Sequence, residues 1–482
     1  MPNAGFHWLL IFFLASIQLF SAWHALLYKR DPKGSWAWIA ICLLFPPVGP
    51  ILYFLLGINR VRTKAKKLKW YWPLVDFDVS DASEEETGAP HPTLKSFIRA
   101  PGFHPIAEFS QALTKRSLLG QNSIETLYNA EQAFPAMLQA INSATTSIYL
   151  ASYIIDTKHS GLEIISALAE ACRRGVTVKV IIDAVGELYT WPLTGRVLRH
   201  YQIPFTRFIP LKIFPPSPFI NLRNHRKILV VDGLYGFTGG MNLRDSSLKI
   251  PRSQASKIQD THFRLTGPIV NQMEQVFLED WGFCTNETGL QPSQPQKGKG
   301  TAICRTMTVG PNQDLNKLNI TITGAVTLSR KRVAIMTPYF LPHREMIGAL
   351  QSAALRGVQV DIILPQNNNL PFVHWATRNM LWELLQYRVN IYYQPPPFNH
   401  SKMFTVDESY AQIGSANLDP RSLRLNFEMV IEVFDTQCVQ ELNAHMDQVI
   451  ATSENTTLTE LDARGLPART RDSLCWLFSP YF

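Results

Sequence analysis

The sequence contains few cysteines, and none of them is placed for pairing or for metal binding. The six are widely separated, with no Cys-x-x-Cys pair and no histidine at metal-ligand spacing. Structural metal sites and disulfide frameworks both need clustered ligands. We therefore expect reduced thiols, no disulfide framework, no metal site and no cofactor. The six are Cys42, Cys172, Cys284, Cys304, Cys438 and Cys475.

Charged residues make up only 17% of the chain, and they are missing from its first long apolar run. The run His7 to Leu27 is long enough to cross a bilayer core as a helix. It has no basic n-region before it and no small-residue cleavage site after it, which argues against a signal peptide. A second apolar run covers Ser35 to Gly57, and its prolines predict a helix that is kinked or broken partway. We expect two membrane helices; a hairpin that enters and leaves one leaflet is the alternative.

Positive charge is in excess, with a formal net charge of +8. This balance favours a polyanionic partner, either nucleic acid or an anionic membrane surface. Six basic residues between Arg60 and Lys69 follow the second apolar run, and aromatic residues follow them. Basic residues beside a membrane helix favour the cytoplasmic side. With two crossings, the N-terminus and the large C-terminal part would both lie in the cytoplasm.

One short pattern occurs twice in the remainder of the chain. It reads His-x-Lys-x4-Asp and is followed by a turn of small residues and an asparagine. The first copy contains His225, Lys227, Asp232 and Asn242, and the second contains His400, Lys402, Asp407 and Asn417. A single copy is also compatible with an ordinary solvated strand, but two copies with the same tail are not expected by chance.

The pattern has the alternation of a β-strand, in which residues i and i+2 share a face. Each histidine therefore projects with its lysine, and each aspartate falls at the end of an apolar stretch. An imidazole beside a cation suits a phosphate: the lysine neutralises the oxygens while the histidine acts as nucleophile or general acid/base.

A long internal repeat accompanies the two motifs. Apolar periodicity predicts helix, strand, helix and strand in turn between Glu131 and Asp183, and this order predicts an α/β domain with a partly parallel sheet. Arg332 to Phe340 repeats the first strand and Ala353 to Leu364 repeats the second helix end and strand, at about the spacing that separates the two motifs. A repeat this long indicates a duplicated domain, since solenoid repeats are much shorter, about 20–50 residues.

The two motifs in their contexts resemble the phospholipase D superfamily. The stretches NLRNHRKILVVDG (221–233) and HSKMFTVDESYAQIGSANLDPRS (400–422) are similar to the two motifs of its bacterial cardiolipin synthase branch. Arg30-Asp31-Pro32 and the proline-rich second apolar run are similar to the N-terminus of that branch. The resemblance implies two tandem phospholipase D-like α/β domains related by pseudo-twofold symmetry, preceded by two N-terminal membrane helices. We expect membrane helices in 1–60, a juxtamembrane segment and acidic linker in 61–110, the first domain in 111–284, a linker in 285–300 and the second domain in 301–482.

The resemblance also implies a reaction. One of His225 and His400 would attack the phosphorus of phosphatidylglycerol and form a phosphohistidine, and the other would protonate the departing glycerol. A second phosphatidylglycerol would then accept the phosphatidyl group, giving cardiolipin. Lys227, Lys402, Asn242 and Asn417 would hold the phosphoryl oxygens, so that no metal is needed. The motif aspartates Asp232 and Asp407 are expected to be structural or polarising.

Two further acidic residues belong to this expected site. By the resemblance, Asp260 can help to orient a motif histidine, although an ordinary strand-end carboxylate fits this residue equally well. Glu428 is its counterpart in the second half. After Asn242 the chain reads Leu243-Arg244-Asp245-Ser246, where the branch more often has an acidic pair and an aromatic residue. This departure bears on the specificity for the acceptor lipid and not on the phosphoryl-transfer chemistry.

Three alternatives remain at this stage. A hydrolase would use the same site with water as acceptor, a nuclease would account for the basic charge but not for the apolar runs, and a lipid-binding scaffold would not need two intact motifs.

We expect an anionic phospholipid substrate, location in a bacterial inner membrane as a multi-pass protein, and no nucleic acid partner. The oligomeric state is open, and the apolar C-terminal tail from Leu474 to Phe482 could touch lipid or dock on its own domain.

Overall fold

The computed structural model describes residues 3–29, 32–57, 104–210, 222–244, 258–311 and 316–479. The basic and acidic segments predicted between residues 60 and 92 lie outside these ranges, as do residues 245–257 and the last three residues. The described chain divides into an N-terminal unit, residues 1–68, and a larger unit, residues 69–482.

The N-terminal unit is a small group of apolar helices. Its elements are α1 (Asn3–Tyr28), α2 (Pro32–Leu44), α3 (Val48–Leu52) and a π-helical turn (Tyr53–Gly57). The second apolar run is broken after Leu44, next to Pro46-Pro47, as its prolines predict. Within the described residues, α1 is the one helix long and apolar enough to span a membrane by itself, over His7–Tyr28.

Three polar side chains of this unit, those of Gln18, His24 and Tyr53, form contacts within it. The Gln18 side chain donates to the carbonyl oxygens of Cys42 (3.2 Å) and Leu43 (3.1 Å) at the end of α2. The ring of His24 lies 2.8 Å from the Tyr53 hydroxyl. Such internal pairing is what a low-dielectric surrounding requires of backbone and side-chain polar groups.

The larger unit is built around one continuous sheet. The strands of the first half are β1 (Leu119–Tyr128), β2 (Ser147–Ser152), β3 (Thr177–Asp183), β4 (Phe205–Phe208), β5 (Ile228–Val231), β6 (Tyr235–Gly239), β7 (Ile258–Gln259) and β8 (Thr261–Thr266). The strands of the second half are β9 (Ala302–Val309), β10 (Arg332–Met336), β11 (Gln359–Pro365), β12 (Asn390–Gln394), β13 (Phe398–Asn399), β14 (Met403–Val406), β15 (Tyr410–Gly414), β16 (Glu428–Phe434) and β17 (Glu454–Thr456). Among the described residues, fifteen of these strands form the main sheet in the order β17-β12-β11-β10-β14-β15-β16-β9-β1-β8-β6-β5-β2-β3-β4, and β13 and β7 form a separate two-stranded sheet.

The strand order shows the duplication. Outward from the centre, β1-β8-β6-β5-β2-β3-β4 in one half mirrors β9-β16-β15-β14-β10-β11-β12 in the other, and β1 pairs with β9 antiparallel. In each half two strand pairs are parallel, β2-β3-β4 and β10-β11-β12, and the rest are antiparallel. The sheet therefore has the tandem pseudo-twofold arrangement and the partly parallel character that the repeat predicts.

Helices cover the sheet, and each half has its own apolar core. The helices before β9 are α4 (His104–Thr114), α5 (Asn129–Ser143), α6 (His159–Arg173), α7 (Thr194–His200) and α8 (Ile269–Thr285), with a 3-10 turn at Gly186–Tyr189. Of these, α4 packs into the core of the second half through Ile106 and Ala107. The second-half helices are α9 (Lys317–Leu328), α10 (Arg344–Leu355), α11 (Pro371–Met380), α12 (Trp382–Leu385), α13 (Pro420–Arg424), α14 (Thr436–Ala451), α15 (Leu458–Asp462) and α16 (Leu466–Leu477). The strands β3 and β11 are almost wholly buried between these layers, as their continuous apolar runs predict.

Candidate active site

Each histidine of the repeated motif lies just before a strand. The strands β5 and β14 begin only after Lys227 and Lys402, so the motif histidines and lysines occupy the extended segments that lead into them. An Asx turn opens each segment: the side-chain oxygen of Asn224 accepts from the Arg226 N–H (3.0 Å), and that of Asn399 accepts from the Ser401 N–H (2.8 Å).

These leading segments cross from one half of the sheet to the other. The Phe398–Asn399 strand β13 pairs in parallel with β7 of the first half, and the His400 N–H donates to the Gln259 carbonyl (2.7 Å). Symmetrically, the His225 N–H donates to the Phe427 carbonyl (2.9 Å). Backbone hydrogen bonds therefore fix each motif against the opposite half.

The crossing pairs each histidine with a carboxylate of the other half. Nδ1 of His225 lies 2.9 Å and 3.1 Å from the two carboxylate oxygens of Glu428. Nδ1 of His400 lies 2.9 Å from Oδ2 of Asp260. A carboxylate on Nδ1 fixes the tautomer and the ring orientation, which leaves Nε2 of each ring for chemistry. The structure thus brings both predicted acidic residues to the motif histidines.

Each lysine lies with its own histidine. Nζ of Lys227 donates to the His225 carbonyl (2.7 Å), and Nζ of Lys402 donates to the His400 carbonyl (2.5 Å) and lies 3.0 Å from its Nδ1. Both lysine side chains are buried. The spacing i, i+2 therefore places histidine and lysine on one face, as the alternating pattern predicts.

Burial changes the acid–base behaviour of this cluster. It lowers the pKa of Lys227 to about 7, with Glu428 opposing the effect and Lys402 adding to it. Burial likewise lowers the pKa of Lys402 to about 8, against the attraction of Asp260 and Glu428. A second ammonium nearby and the loss of water both disfavour the charged lysine. A bound anion would favour the charged form of both lysines, so the positive charge of this site should increase when an anionic ligand binds.

The imidazoles are held neutral near pH 7. Burial lowers the pKa of His225, with Glu428 opposing and Lys227 adding to the effect. Burial and then Lys402 lower the pKa of His400 to about 4, which Asp260 opposes. A neutral ring keeps the lone pair that a nucleophile or general base needs.

The motif aspartates lie away from the imidazoles, at left-handed turns after β5 and β14 (φ +53° for Asp232 and +56° for Asp407). The Asp232 carboxylate accepts from the backbone N–H groups of residues 145, 146 and 147 at 2.8, 2.8 and 2.9 Å. The Asp407 carboxylate accepts from those of residues 330, 331 and 332 in the same way. Both side chains tie a turn to the start of the neighbouring strand.

The asparagines follow small-residue turns that pack on the carboxylates. A Cβ on Gly240 would lie 2.4 Å from Oδ1 of Asp260, so this position has no room for a larger residue. Its counterpart Ser415 instead donates to Glu428 (2.6 Å). Within the described part of the chain, the side-chain oxygens of Asn242 and Asn417 are buried without a hydrogen-bond partner. Because an amide can present either end after a half-turn, each can offer an N–H to a phosphoryl oxygen.

Sequence reasoning missed two tyrosines and a further carboxylate. The Tyr153 ring lies 5.1 Å from the His225 ring, and the Tyr339 ring lies 6.2 Å from the His400 ring. Both follow the ends of equivalent strands, β2 and β10, so the repeat itself was the available signal. Buried Asp419 caps α13 by accepting from the Ser422 N–H (2.8 Å), and burial raises its pKa to about 6.

Within the described ranges, no group of three or more His, Cys, Asp and Glu side chains is arranged to hold a metal ion. The positive charge identified at the site belongs to the two lysines, which are suited to the non-bridging oxygens of a phosphodiester.

Comparisons with known proteins agree with this architecture. The family model described as cardiolipin synthase, PLD-like domain, matches residues 137–281 and 322–450, one match in each half. A second model, phospholipase D-nuclease N-terminal, matches residues 10–57. The probable cardiolipin synthase YwiE of Bacillus subtilis is 28% identical over 96% of this chain and 92% of its own length. The major cardiolipin synthase ClsA of Bacillus subtilis is 28% identical over 94% of each chain, and the cardiolipin synthase of Geobacillus kaustophilus is 29% identical over 94% of this chain and 90% of its own.

Among solved structures, the phosphatidylserine synthase of Haemophilus influenzae has the same fold, with a TM-score of 0.60 and 16% identity over 78% of this chain and all of that one. The family model covers more than half of the chain and matches both halves of the sheet. The chain therefore belongs to the cardiolipin synthase family of the phospholipase D superfamily.

Proposed function

We propose that this phosphatidyltransferase joins two phosphatidylglycerol molecules into cardiolipin and glycerol through a phosphohistidine intermediate. The observation that carries the mechanism is the crossed pairing of His225 with Glu428 and of His400 with Asp260. Two imidazoles with fixed Nδ1 partners and two lysines from sister halves form one site for a single phosphodiester.

In the first step, Nε2 of one histidine attacks phosphorus and the P–O bond to the headgroup glycerol breaks. The other histidine supplies a proton to that departing oxygen. In the second step, this other histidine removes a proton from a hydroxyl group of a second phosphatidylglycerol. The oxygen of that hydroxyl attacks phosphorus, the P–N bond of the phosphohistidine breaks, and the first imidazole is free again. Splitting the exchange in two lets one site serve both the leaving and the entering alcohol.

The remaining residues bind and position. Lys227, Lys402, Asn242 and Asn417 hold the non-bridging oxygens, where charge accumulates in the transition state. Asp260 and Glu428 orient the imidazoles and stabilise whichever ring carries the proton. Asp232 and Asp407 support the strands from which the motifs extend.

The location that suits this substrate is a bacterial inner membrane. The apolar helix α1 supports anchoring, and the match of residues 10–57 to an N-terminal family model supports it independently. We further propose that the second apolar run also crosses, giving a multi-pass protein with its catalytic halves in the cytoplasm. The domain boundaries expected at residues 60, 110, 284 and 300 complete this proposal.

The experiment is incubation of the reconstituted full chain with phosphatidylglycerol labelled separately in phosphorus and in headgroup glycerol. The expected result is one cardiolipin for each glycerol released. Phosphatidic acid as the sole labelled lipid product would instead assign the chain as a hydrolase, with water as the acceptor.

A further inference from the structure

The C-terminal helix α16 has a buried carboxylate and exposed leucines, the reverse of the usual distribution on a helix of a soluble protein. Its buried face carries Asp472, which forms ion pairs with Arg464 and with Arg471 (2.7 Å). Its outward face carries Leu466 and Leu477, which are 76% and 62% exposed. Leucines directed outward and a carboxylate directed inward leave an apolar stripe that nothing in the described chain covers.

The stripe continues along one side of the helix. Leu474 and Phe478 are more than half exposed, and at about 100° per residue they lie about 80° and about 120° around the helix axis from Leu466, which makes the apolar face broad. Cys475 and Trp476 pack against the buried cluster of Leu341, Val373 and Ala376, and Tyr339 packs against the same cluster. The Tyr339 ring is next to that of His400, so this cluster and Tyr339 connect α16 to the active site.

The first half has a corresponding apolar surface. The turn after β3 exposes Leu188, Tyr189 and Trp191 by 58%, 57% and 70%. The Tyr189 ring lies 6.2 Å from that of Tyr153, which contacts the His225 ring. This surface is therefore one aromatic residue away from a catalytic histidine. Each surface thus reaches a motif histidine by way of a tyrosine, Tyr153 in the first half and Tyr339 in the second.

We infer that these two surfaces form an apolar rim that inserts into the headgroup region of a lipid bilayer, so that phosphodiesters enter the site directly from the membrane. The apolar rim consists of Leu188, Tyr189 and Trp191 in the first half and Leu466, Leu474, Leu477 and Phe478 in the second. This inference rests on the proposed function, because it supplies the route by which a phospholipid reaches the histidines.

Charge favours an anionic bilayer as the occupant. Arg196 lies 5.9 Å from the Trp191 ring and is exposed, as is Arg199 on the same helix. On α16, Arg469 is exposed beside the leucines. Apolar tips with tryptophan and tyrosine, backed by arginines, suit the boundary between acyl chains and anionic headgroups.

The first test compares two physical forms of the substrate. The full chain is reconstituted in phosphatidylcholine vesicles and given either long-chain phosphatidylglycerol in the bilayer or dihexanoyl phosphatidylglycerol in the water below its micelle concentration. Trp191→Ser combined with Leu477→Ser is expected to lower turnover of the bilayer substrate about tenfold or more and that of the short-chain substrate less than about twofold. The control Leu355→Ser replaces a leucine that is 66% exposed at the end of α10, before the N-terminal end of β11, whereas Tyr339 follows the carboxyl end of the parallel strand β10; it should change neither rate.

Equal losses on both substrates, or no loss on either, would overturn the rim. Wild-type protein that turns over neither substrate would contradict the proposed function, and a second readout then still tests the rim. Trp191 emission, isolated as the difference between wild type and Trp191→Phe, is expected to be quenched by lipids brominated near the headgroup. Unquenched emission would overturn the inference, and unquenched emission with cross-linked dimers would assign the surface to a second copy of the chain.

Discussion

The imidazoles of His225 and His400 are partly buried next to carboxylates that come from the other half of the chain, 2.9 Å from Glu428 and from Asp260 respectively. Such a partner holds the ring in one tautomer and stabilises the imidazolium that forms when the ring carries a proton. At the scale of single residues, this crossed contact links the two halves of the candidate site.

Replacing a carboxylate by its amide tests this contact. In Glu428→Gln the amide retains the shape, but it can offer its N–H to Nδ1 and so favour the wrong tautomer of His225. We expect kcat to fall about 10²–10⁴-fold with a small change in KM. The matched variant Asp260→Asn should show the same fall in kcat, through the tautomer of His400. Steady-state kinetics with phosphatidylglycerol measure kcat and KM of both variants. Near-normal kcat in either variant would remove that carboxylate from the mechanism.

The lysines predict a pH dependence of substrate binding. The pKa values of Lys227 and Lys402 are lowered to about 7 and about 8, so their charges are present below these values and are lost as pH rises through them. Loss of the ammonium charges weakens attraction for the phosphodiester, and KM should therefore rise from pH 7 to pH 9. In the substrate complex, the bound anion raises the pKa values of the lysines. A KM that is flat over this range would show that the lysines stay charged in the free enzyme. The KM of Lys402→Arg should depend less on pH than the KM of wild type, since a guanidinium group stays protonated over this range.

At the scale of elements, the motif aspartates act on turns. Asp232 accepts three backbone N–H groups at the start of β2 from a left-handed turn after β5. Burial opposes the charged form of this carboxylate, but these hydrogen bonds lower its pKa overall. The stabilisation it gives is therefore present above the unfolded value of 3.8 and is lost as pH falls below it.

We predict that Asp232→Ala lowers the free energy of unfolding by about 1–2 kcal/mol, because several N–H groups lose their acceptor and alanine disfavours the left-handed turn. Asp232→Asn, which tolerates that backbone conformation, should lose less. The measurement is denaturant unfolding in detergent, combined with kcat per folded molecule, which should stay close to wild type. A large loss of kcat in a stably folded Asp232→Asn would instead give this carboxylate a direct part in the reaction.

Element types could be predicted well from the sequence, and their ends less so. Apolar periodicity predicts α6, β3 and the interrupted second apolar run, since burial and proline geometry act locally. The motif strand was predicted to include His225, but β5 begins only at Ile228. The reason is tertiary: the preceding residues bond to Phe427 of the other half instead of to a strand of their own.

At the scale of the whole molecule, the duplication and the pseudo-twofold order of the strands follow from a repeat visible in the sequence. The crossed pairing does not. Asp260 lies closer in sequence to His225 than to His400, and only the folded sheet, with β7 against β13, decides that it pairs with His400. Tyr153 and Tyr339 escaped prediction for a related reason, because a tyrosine after a strand is common and only its distance to a histidine distinguishes it.

Because each motif histidine pairs with a carboxylate from the other half of the same chain, we expect that two inactive chains do not repair each other. Mixing full-length His225→Ala with full-length His400→Ala is expected to give no more activity than either alone. The measurement is cardiolipin formation after co-reconstitution, with wild type mixed with either variant as the control for assembly. Restored activity would mean that histidines from separate chains share a site.

The most direct test of the shared site is a rapid acid-free quench of the full chain with phosphorus-labelled phosphatidylglycerol, followed by mapping of the labelled residue. We predict a phosphatidyl group on one of His225 and His400 in wild type, and no cardiolipin formation when either is alanine. Label on any other residue, or substantial turnover in either alanine variant, would contradict it.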